Sequence, residues 1–262
     1  MKYCLKIFLA LLLIYVLLGL LMTFAAGAEP TPQPQCVKVR VDDGRGNGSL
    51  GSGAYIGPAL VATCWHVTQD RVADDSITIM FPVPVDYPLP EEGDDGLISY
   101  VTTQEWGWDE IPGTLLAEDK KQELVFIELS RLPACKPLAL SSWPLEAGTR
   151  LSTQGYGDGR YKRSWGPLVA TPFSNGWREI LAESFSGDSG GPIIDTEDRF
   201  VGTLWGSNGK TTTFTPIEII KRHIADLNIK IPDPEVKPPD DDYRIYGASY
   251  HQRTQEWPTE KK

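Results

Sequence analysis

The chain has 262 residues, 41% of them hydrophobic and 23% charged, which fits one large soluble domain or two small ones. A net charge of −10 and the lack of any dense Lys/Arg run argue against a nucleic-acid binder, which needs a basic surface to neutralise phosphates. With 25 glycines and 21 prolines the chain is rich in turns without being of low complexity.

Lys2 and Lys6 precede an apolar run from Ile7 to Phe24, and small residues at Ala26 and Ala28 fit a cleavage site before Glu29. Residues 1–28 are therefore read as a signal peptide, with an uncleaved N-terminal anchor as the alternative. Both readings export the rest of the chain to a secreted or periplasmic location, and only the anchor attaches it to a membrane. A Pro-rich lead-in (29–35) comes next. Val37–Val41 alternates as VKVRV and predicts a half-buried strand. Further strands are expected at Gly53–Ile56, Leu60–Thr63, Ser76–Phe81, Leu97–Thr103 and Leu124–Leu129. A second set is expected at Leu151–Gln154, Leu168–Thr171, Glu179–Ala182, Pro192–Asp195, Val201–Leu204 and Thr211–Thr215. Residues 82–96, rich in proline and acid, read as a surface loop. Many short strands separated by turn residues predict an all-β barrel or sandwich. One helix stands out at 217–228, with Ile217, Ile220, Ile224 and Leu227 on one face and Thr215 as its expected N-cap. The rest, 229–262, reads as a Pro-rich acidic tail without a packed core.

The chemistry concentrates in three segments. Ser186-Gly187-Asp188-Ser189-Gly190-Gly191-Pro192 combines a serine with glycines that permit a tight turn and bring backbone N–H groups near the hydroxyl, as a nucleophile and its oxyanion require. Ala62-Thr63-Cys64-Trp65-His66-Val67 places one of three histidines just after an apolar strand; His223 falls in the helix and His251 in the tail. Asp119-Lys120-Lys121-Gln122-Glu123 leads into the apolar strand Leu124–Leu129. No Cys/His cluster has metal-ligand spacing, so no metal is expected.

These segments resemble the nucleophile, histidine and acid segments of trypsin-like serine proteases, with Asp119 similar to the HtrA-like branch. The resemblance runs over most of 36–228, including Ala147 to Gly157, Thr203-Leu204-Trp205-Gly206 and Phe214-Thr215-Pro216. It implies an all-β fold of two antiparallel β-barrels of the chymotrypsin type, at about 36–135 and 146–216, closed by the C-terminal helix, within a protease domain of 29–228. It implies Ser189 as nucleophile, His66 as base and Glu123 in the acid position, where the family has Asp. Asp119 is the alternative acid. Gly187 and Ser189 would supply the oxyanion N–H groups, and Leu204, Trp205 and Gly206 would line the substrate. Glu183, six residues before Ser189, would sit at the floor of the primary specificity pocket and favour Arg or Lys. The substrate would be a polypeptide, with no cofactor. The resemblance also implies a Cys36–Cys135 disulfide, leaving Cys64 a buried thiol.

The sequence departs from the family in several places. No Ile-Val-Gly-Gly start follows a basic residue, so Asp188 has no newly cut N-terminus to pair with. The cysteine beside the active-site histidine is missing, and Phe185 replaces another family cysteine. Only 34 residues follow Asn228, so a stand-alone protease domain is expected. A catalytically impaired protease-like binding domain is the alternative, and Glu123 is the feature that favours it.

Overall fold

The computed structural model describes residues 31–45, 48–92, 98–142 and 144–229, without the side chains of 86–105. The chain divides into residues 1–31 and 32–262, and every element described belongs to the second unit. The leader 1–28 and the tail from 230 onward lie outside the described residues.

The fold is all-β, as the sequence predicts. Strands β1 (Cys36–Asp42), β2 (Gly48–Gly57), β3 (Leu60–Thr63), β4 (Ile77–Glu92), β5 (Ile98–Asp119) and β6 (Leu124–Leu129) close into an antiparallel barrel in the order β1-β2-β3-β6-β5-β4. Strands β7 (Arg150–Gly155), β8 (Lys162–Pro167), β9 (Arg178–Ile180), β10 (Pro192–Ile194), β11 (Phe200–Ser207) and β12 (Thr212–Pro216) form a sheet ordered β8-β7-β10-β11-β12-β9. This second sheet curls without a continuous closing ladder. Its ends meet where Leu181 N–H donates to the Pro167 carbonyl (3.0 Å) and Val169 N–H to that of Glu179 (2.7 Å). Gly166 permits this approach, because a Cβ there would stand 1.9 Å from the Leu181 carbonyl oxygen. Leu168–Thr171, expected as a strand, contributes only the single bridge from Leu168 to Ile180.

Three apolar clusters hold the unit together. Val37, Val39, Val41, Ile77, Ile79 and Ile127 fill the first barrel, since alternate residues of each strand point inward. Leu151, Leu168, Ile180, Ile193, Val201 and Phe214 fill the curl of the second sheet. The third cluster lies between the sheets. There Ala54, Ile56, Leu60, Ala62, Leu124 and Phe126 meet Ile194 and Phe200, under Ile217, Ile220 and Ile224 of the C-terminal helix. β3 and the front of β6 are thus buried on both faces, which explains their continuous apolar runs. Removing one large side chain there, as in Phe126→Ala, costs about 3–5 kcal/mol by the usual core values.

Two expectations about local structure are corrected. The loop expected at 82–96 is strand as far as Glu92, and β4 pairs with β5 from Ile77↔Gly113 to Glu92↔Ile98. Pro82, Pro84, Pro88 and Pro90 all share one parity, as does Pro112 opposite Thr78, so each lacks its N–H where the ladder asks for none. The same parity ends the β1–β4 pairing at Lys38↔Met80, because the next partner, Pro82, has no donor for Cys36. The helix, here α2 (Ile217–Asp226), is preceded by Pro216 rather than capped by Thr215. Thr215 is still in β12, and its hydroxyl donates instead to the Gln122 carbonyl at 2.6 Å.

The expected Cys36–Cys135 bond is not formed: Cys36, Cys64 and Cys135 are free thiols. Val37, Val39 and Val41 point into the first barrel, so strand alternation turns Cys36 the other way, toward Tyr156 and Tyr161. Cys135 packs against the barrel-interior cluster, with its thiol 3.6 Å from the Pro34 carbonyl. The two sulfurs therefore occupy different faces of β1.

Candidate active site

His66 lies in α1 (Trp65–Thr68), a single turn that follows β3. Glu123 ends the turn joining β5 to β6. Its Oε2 lies 3.0 Å from His66 Nδ1 and accepts the His66 backbone N–H at 3.2 Å. One oxygen thus holds both the ring and the main chain of the histidine. Glu123 has φ +51°, a left-handed conformation costly for a residue with a Cβ. From that backbone the glutamate side chain reaches the ring. Asp119 does not serve His66. Its Oδ1 accepts the N–H groups of Lys121 (2.8 Å) and Gln122 (3.1 Å), and its Oδ2 pairs with His223 Nε2 at 3.1 Å. With Thr215 holding Gln122 from β12, the acid turn is clamped from three directions.

Ser189 lies in the turn that leads into β10 of the second sheet, and β2 is the shared bench on which the two halves meet. Ser52 N–H donates to the Ser189 carbonyl at 2.8 Å, while Ser49 Oγ donates to the Val67 carbonyl at 2.9 Å. Gly51 keeps the gap narrow: a Cβ there would lie 2.6 Å from Val67 and 3.2 Å from the Ser189 carbonyl oxygen. Cys64, buried beside His66, donates its thiol to the Leu204 carbonyl at 2.8 Å. Burial, with the Glu123 charge adding to it, pushes that thiol well above its ordinary pKa and keeps it a protonated donor.

The nucleophile loop is fixed peptide by peptide. The carbonyls of Phe185, Ser186, Gly187, Asp188 and Ser189 accept hydrogen bonds from Asp188 N–H, Asp158 N–H, Ser52 Oγ, Gly191 N–H and Ser52 N–H respectively. Gly190 N–H goes to the Leu204 carbonyl at 2.7 Å. Among the described residues, the N–H groups of Ser186, Gly187 and Ser189 in this loop find no acceptor. Gly187 and Ser189 are the two the sequence singles out as oxyanion donors. In a trans peptide the C=O and N–H point opposite ways, so anchoring the Ser186 carbonyl to Asp158 aims the Gly187 N–H to the other side. The buried Asp188 carboxylate accepts Gly157 N–H (2.6 Å) and Phe185 N–H (2.8 Å). Burial raises its pKa above the ordinary carboxylate range, while the two backbone bonds pull the other way. Asp188 thus pins the loop through backbone partners.

Ser189 Oγ donates to the Trp205 carbonyl at 3.4 Å, a long bond that the hydroxyl can leave at little cost. Trp205 sits at a bulge between Leu204 and Gly206, and its ring packs on Trp177 with centroids 4.4 Å apart. Leu204 is core, and Gly206 faces open space. Glu183 is exposed, and only its carbonyl is engaged, by Thr153 Oγ1 at 3.0 Å. Its neighbours Ala182 and Ser184 are buried, and Thr212 Oγ1 bonds to the Ala182 carbonyl (2.7 Å) and Ser184 Oγ (3.0 Å). The inward wall of that segment is therefore neutral. The sequence does not single out Ser52 or Asp158, which act by holding backbone carbonyls, while Cys64 is the buried free thiol it predicts. Only Ser52 carried a signal, a small polar residue between two glycines in an otherwise apolar strand.

A closed six-stranded barrel packed on a curled six-stranded sheet, with a helix completing the fold, is the architecture of a chymotrypsin-like serine peptidase. The family of the trypsin-like peptidase domain matches residues 51–202, more than half of the chain, and the chain belongs to it: it is a serine-type endopeptidase. The fold is similar to the active form of the Rv3671c protease from M. tuberculosis, at 20% identity and a TM-score of 0.57, covering 78% of this chain and 90% of that one. It is also similar to a serine endoprotease from Yersinia pestis, at 16% identity and a TM-score of 0.56, covering 76% of this chain and 68% of that one. No curated protein matches the sequence.

Proposed function

We propose that the chain is an exported serine endopeptidase that hydrolyses polypeptides with Ser189, His66 and Glu123. The observation that carries this reading is the contact of Glu123 with both Nδ1 and the backbone N–H of His66. Held that way, the ring keeps its proton on Nδ1 and leaves Nε2 free to act as a base. Ser189 attacks the scissile carbonyl carbon as His66 takes its proton. The tetrahedral oxyanion forms toward the N–H groups of Gly187 and Ser189. His66, now an imidazolium stabilised by Glu123, protonates the leaving amine. Water then repeats the sequence on the acyl-enzyme and regenerates Ser189. Export rests on the leader-like residues 1–28, and N-terminal sequencing of the mature protein should begin at Glu29.

A fluorophosphonate probe tests the nucleophile, because it labels only an activated serine. Wild type should be labelled at Ser189 and should cleave a peptide library. Ser189→Ala should lose the label and about 10⁴- to 10⁶-fold of activity with its Tm unchanged. Labelling elsewhere, or full activity in the alanine variant, overturns the assignment. An unlabelled, well-folded wild type points instead to a binding domain.

A further inference from the structure

We propose that Ser52 is a positioning residue for the oxyanion donors, an inference that rests on the reading of Ser189 as the nucleophile. Ser52 lies on β2 of the first barrel and is wholly buried. Its hydroxyl donates to the Gly187 carbonyl at 2.7 Å and accepts the Tyr156 N–H at 2.9 Å. Its own N–H donates to the Ser189 carbonyl at 2.8 Å, and its carbonyl accepts Thr63 Oγ1 at 2.7 Å. Every polar atom of the residue is engaged, and two of its contacts grip Gly187 and Ser189, whose N–H groups are left free.

The loop needs such a grip. Gly187 has φ +95°, in a region where glycine moves freely and its own conformational preferences fix little. The direction of its N–H must be set from outside. Asp158 holds the peptide on one side of Gly187 through the Ser186 carbonyl, and Ser52 holds the peptide on the other side through the Gly187 carbonyl. With both flanking peptides tethered, φ and ψ of Gly187 are fixed. The Ser52 hydroxyl proton goes to the Gly187 carbonyl while its lone pair takes Tyr156 N–H. A single side chain from the first barrel thus ties together two backbone segments of the second, the β7 end at Tyr156 and the nucleophile loop. Donors fixed before the reaction spare the enzyme the cost of orienting them as charge develops.

The experiment compares wild type with Ser52→Ala and with Ser49→Ala, which loses a hydrogen bond of similar length on the same strand. Ser52→Ala should lower kcat about 10- to 100-fold with KM within about twofold, because the donors matter most in the transition state. Affinity for a peptide boronate, which forms a tetrahedral adduct, should fall by a similar factor, while an uncleavable peptide competitor binds as before. Hydrogen exchange across 184–190 should quicken. Ser49→Ala should match wild type in kcat and in exchange at that loop. A folded Ser52→Ala with wild-type kcat and exchange overturns the proposal, as does a loss confined to KM or shared equally by Ser49→Ala. Should the alanine variant not fold, Ser52→Gly removes the same hydroxyl and carries the same test. If wild type neither cleaves peptides nor takes the fluorophosphonate, the reading of the site fails, and the exchange measurement still decides whether Ser52 holds the loop.

Discussion

Glu123 offers a perturbation whose outcome runs against family resemblance. Restoring the family residue with Glu123→Asp shortens the side chain by one C–C bond, about 1.5 Å. The backbone cannot follow, because Asp119, His223 and Thr215 clamp the turn that ends at residue 123. The 3.0 Å contact with His66 Nδ1 would open to roughly 4.5 Å, beyond hydrogen-bond reach. Activity should fall about 10- to 10³-fold, approaching the 10²- to 10⁴-fold loss expected for Glu123→Gln, which keeps the reach but favours the wrong tautomer. Stability should move the other way. A left-handed residue with a Cβ costs about 1–2 kcal/mol, and Asp tolerates that region better than Glu. The Tm of Glu123→Asp should equal or exceed that of wild type, and Glu123→Gly should do the same while losing the acid. The assay is kcat/KM on a cleaved peptide, paired with thermal unfolding of the same preparations. Wild-type or better activity in Glu123→Asp refutes the argument, as does a Glu123→Gln variant within about fivefold of wild type.

Asp119→Asn keeps an acceptor for the turn N–H groups and should stay within about threefold of wild type. Asp119→Ala removes it and should cost about 1 kcal/mol of stability with a several-fold loss of activity; the reverse ranking would make Asp119 the acid. Burial pushes the Cys135 thiol up to about 12, so at pH 8 about one molecule in 10⁴ carries the thiolate, against about a quarter for an ordinary cysteine. Iodoacetamide should therefore modify the native protein about 10³-fold more slowly than the unfolded chain. Complete burial also pushes up the Cys36 and Cys64 thiols, and both should resist modification in the native protein; a disulfide in non-reducing peptide maps would contradict this arrangement. Glu183 is exposed and its charge is screened, so Glu183→Gln should change the hydrolysis of substrates with Arg before the scissile bond by less than about threefold. A tenfold loss specific to Arg would place that carboxylate in the pocket.

Much of the fold was legible because barrel strands carry a local signature. VKVRV in β1 and LVFIEL in β6 show their burial in their patterns. The failures have physical causes. Four prolines between 82 and 90 read as a loop because proline cannot donate to a ladder, yet at alternate positions of a ribbon the missing donors all fall on the side that pairs with nothing. β8 was missed because KRSWGP alternates no apolar residues; its place is secured by the ladder to β7 and by the space that Gly166 leaves. The disulfide failed because it was carried over from the resemblance, whereas alternation turns Cys36 to the face of β1 opposite the cluster that Cys135 packs against.

The reactive groups of the candidate site were legible, and their supports were not. Gly187-Asp188-Ser189-Gly190-Gly191-Pro192 and His66 are read from residue type, since a hydroxyl and an imidazole are what the chemistry requires. Glu123 as candidate acid is read from its place before β6, although its left-handed backbone leaves no mark in the sequence. Ser52, Asp158 and Thr215 act by holding carbonyls that many residue types could hold, across separations of 93 to 135 positions for Thr215 and Ser52. Such residues become visible only when each backbone N–H and C=O of a loop is assigned its partner. Applied to residues 185–190, that accounting leaves the N–H groups of Ser186, Gly187 and Ser189 over among the described residues, and it finds a side chain of the first barrel holding the Gly187 carbonyl.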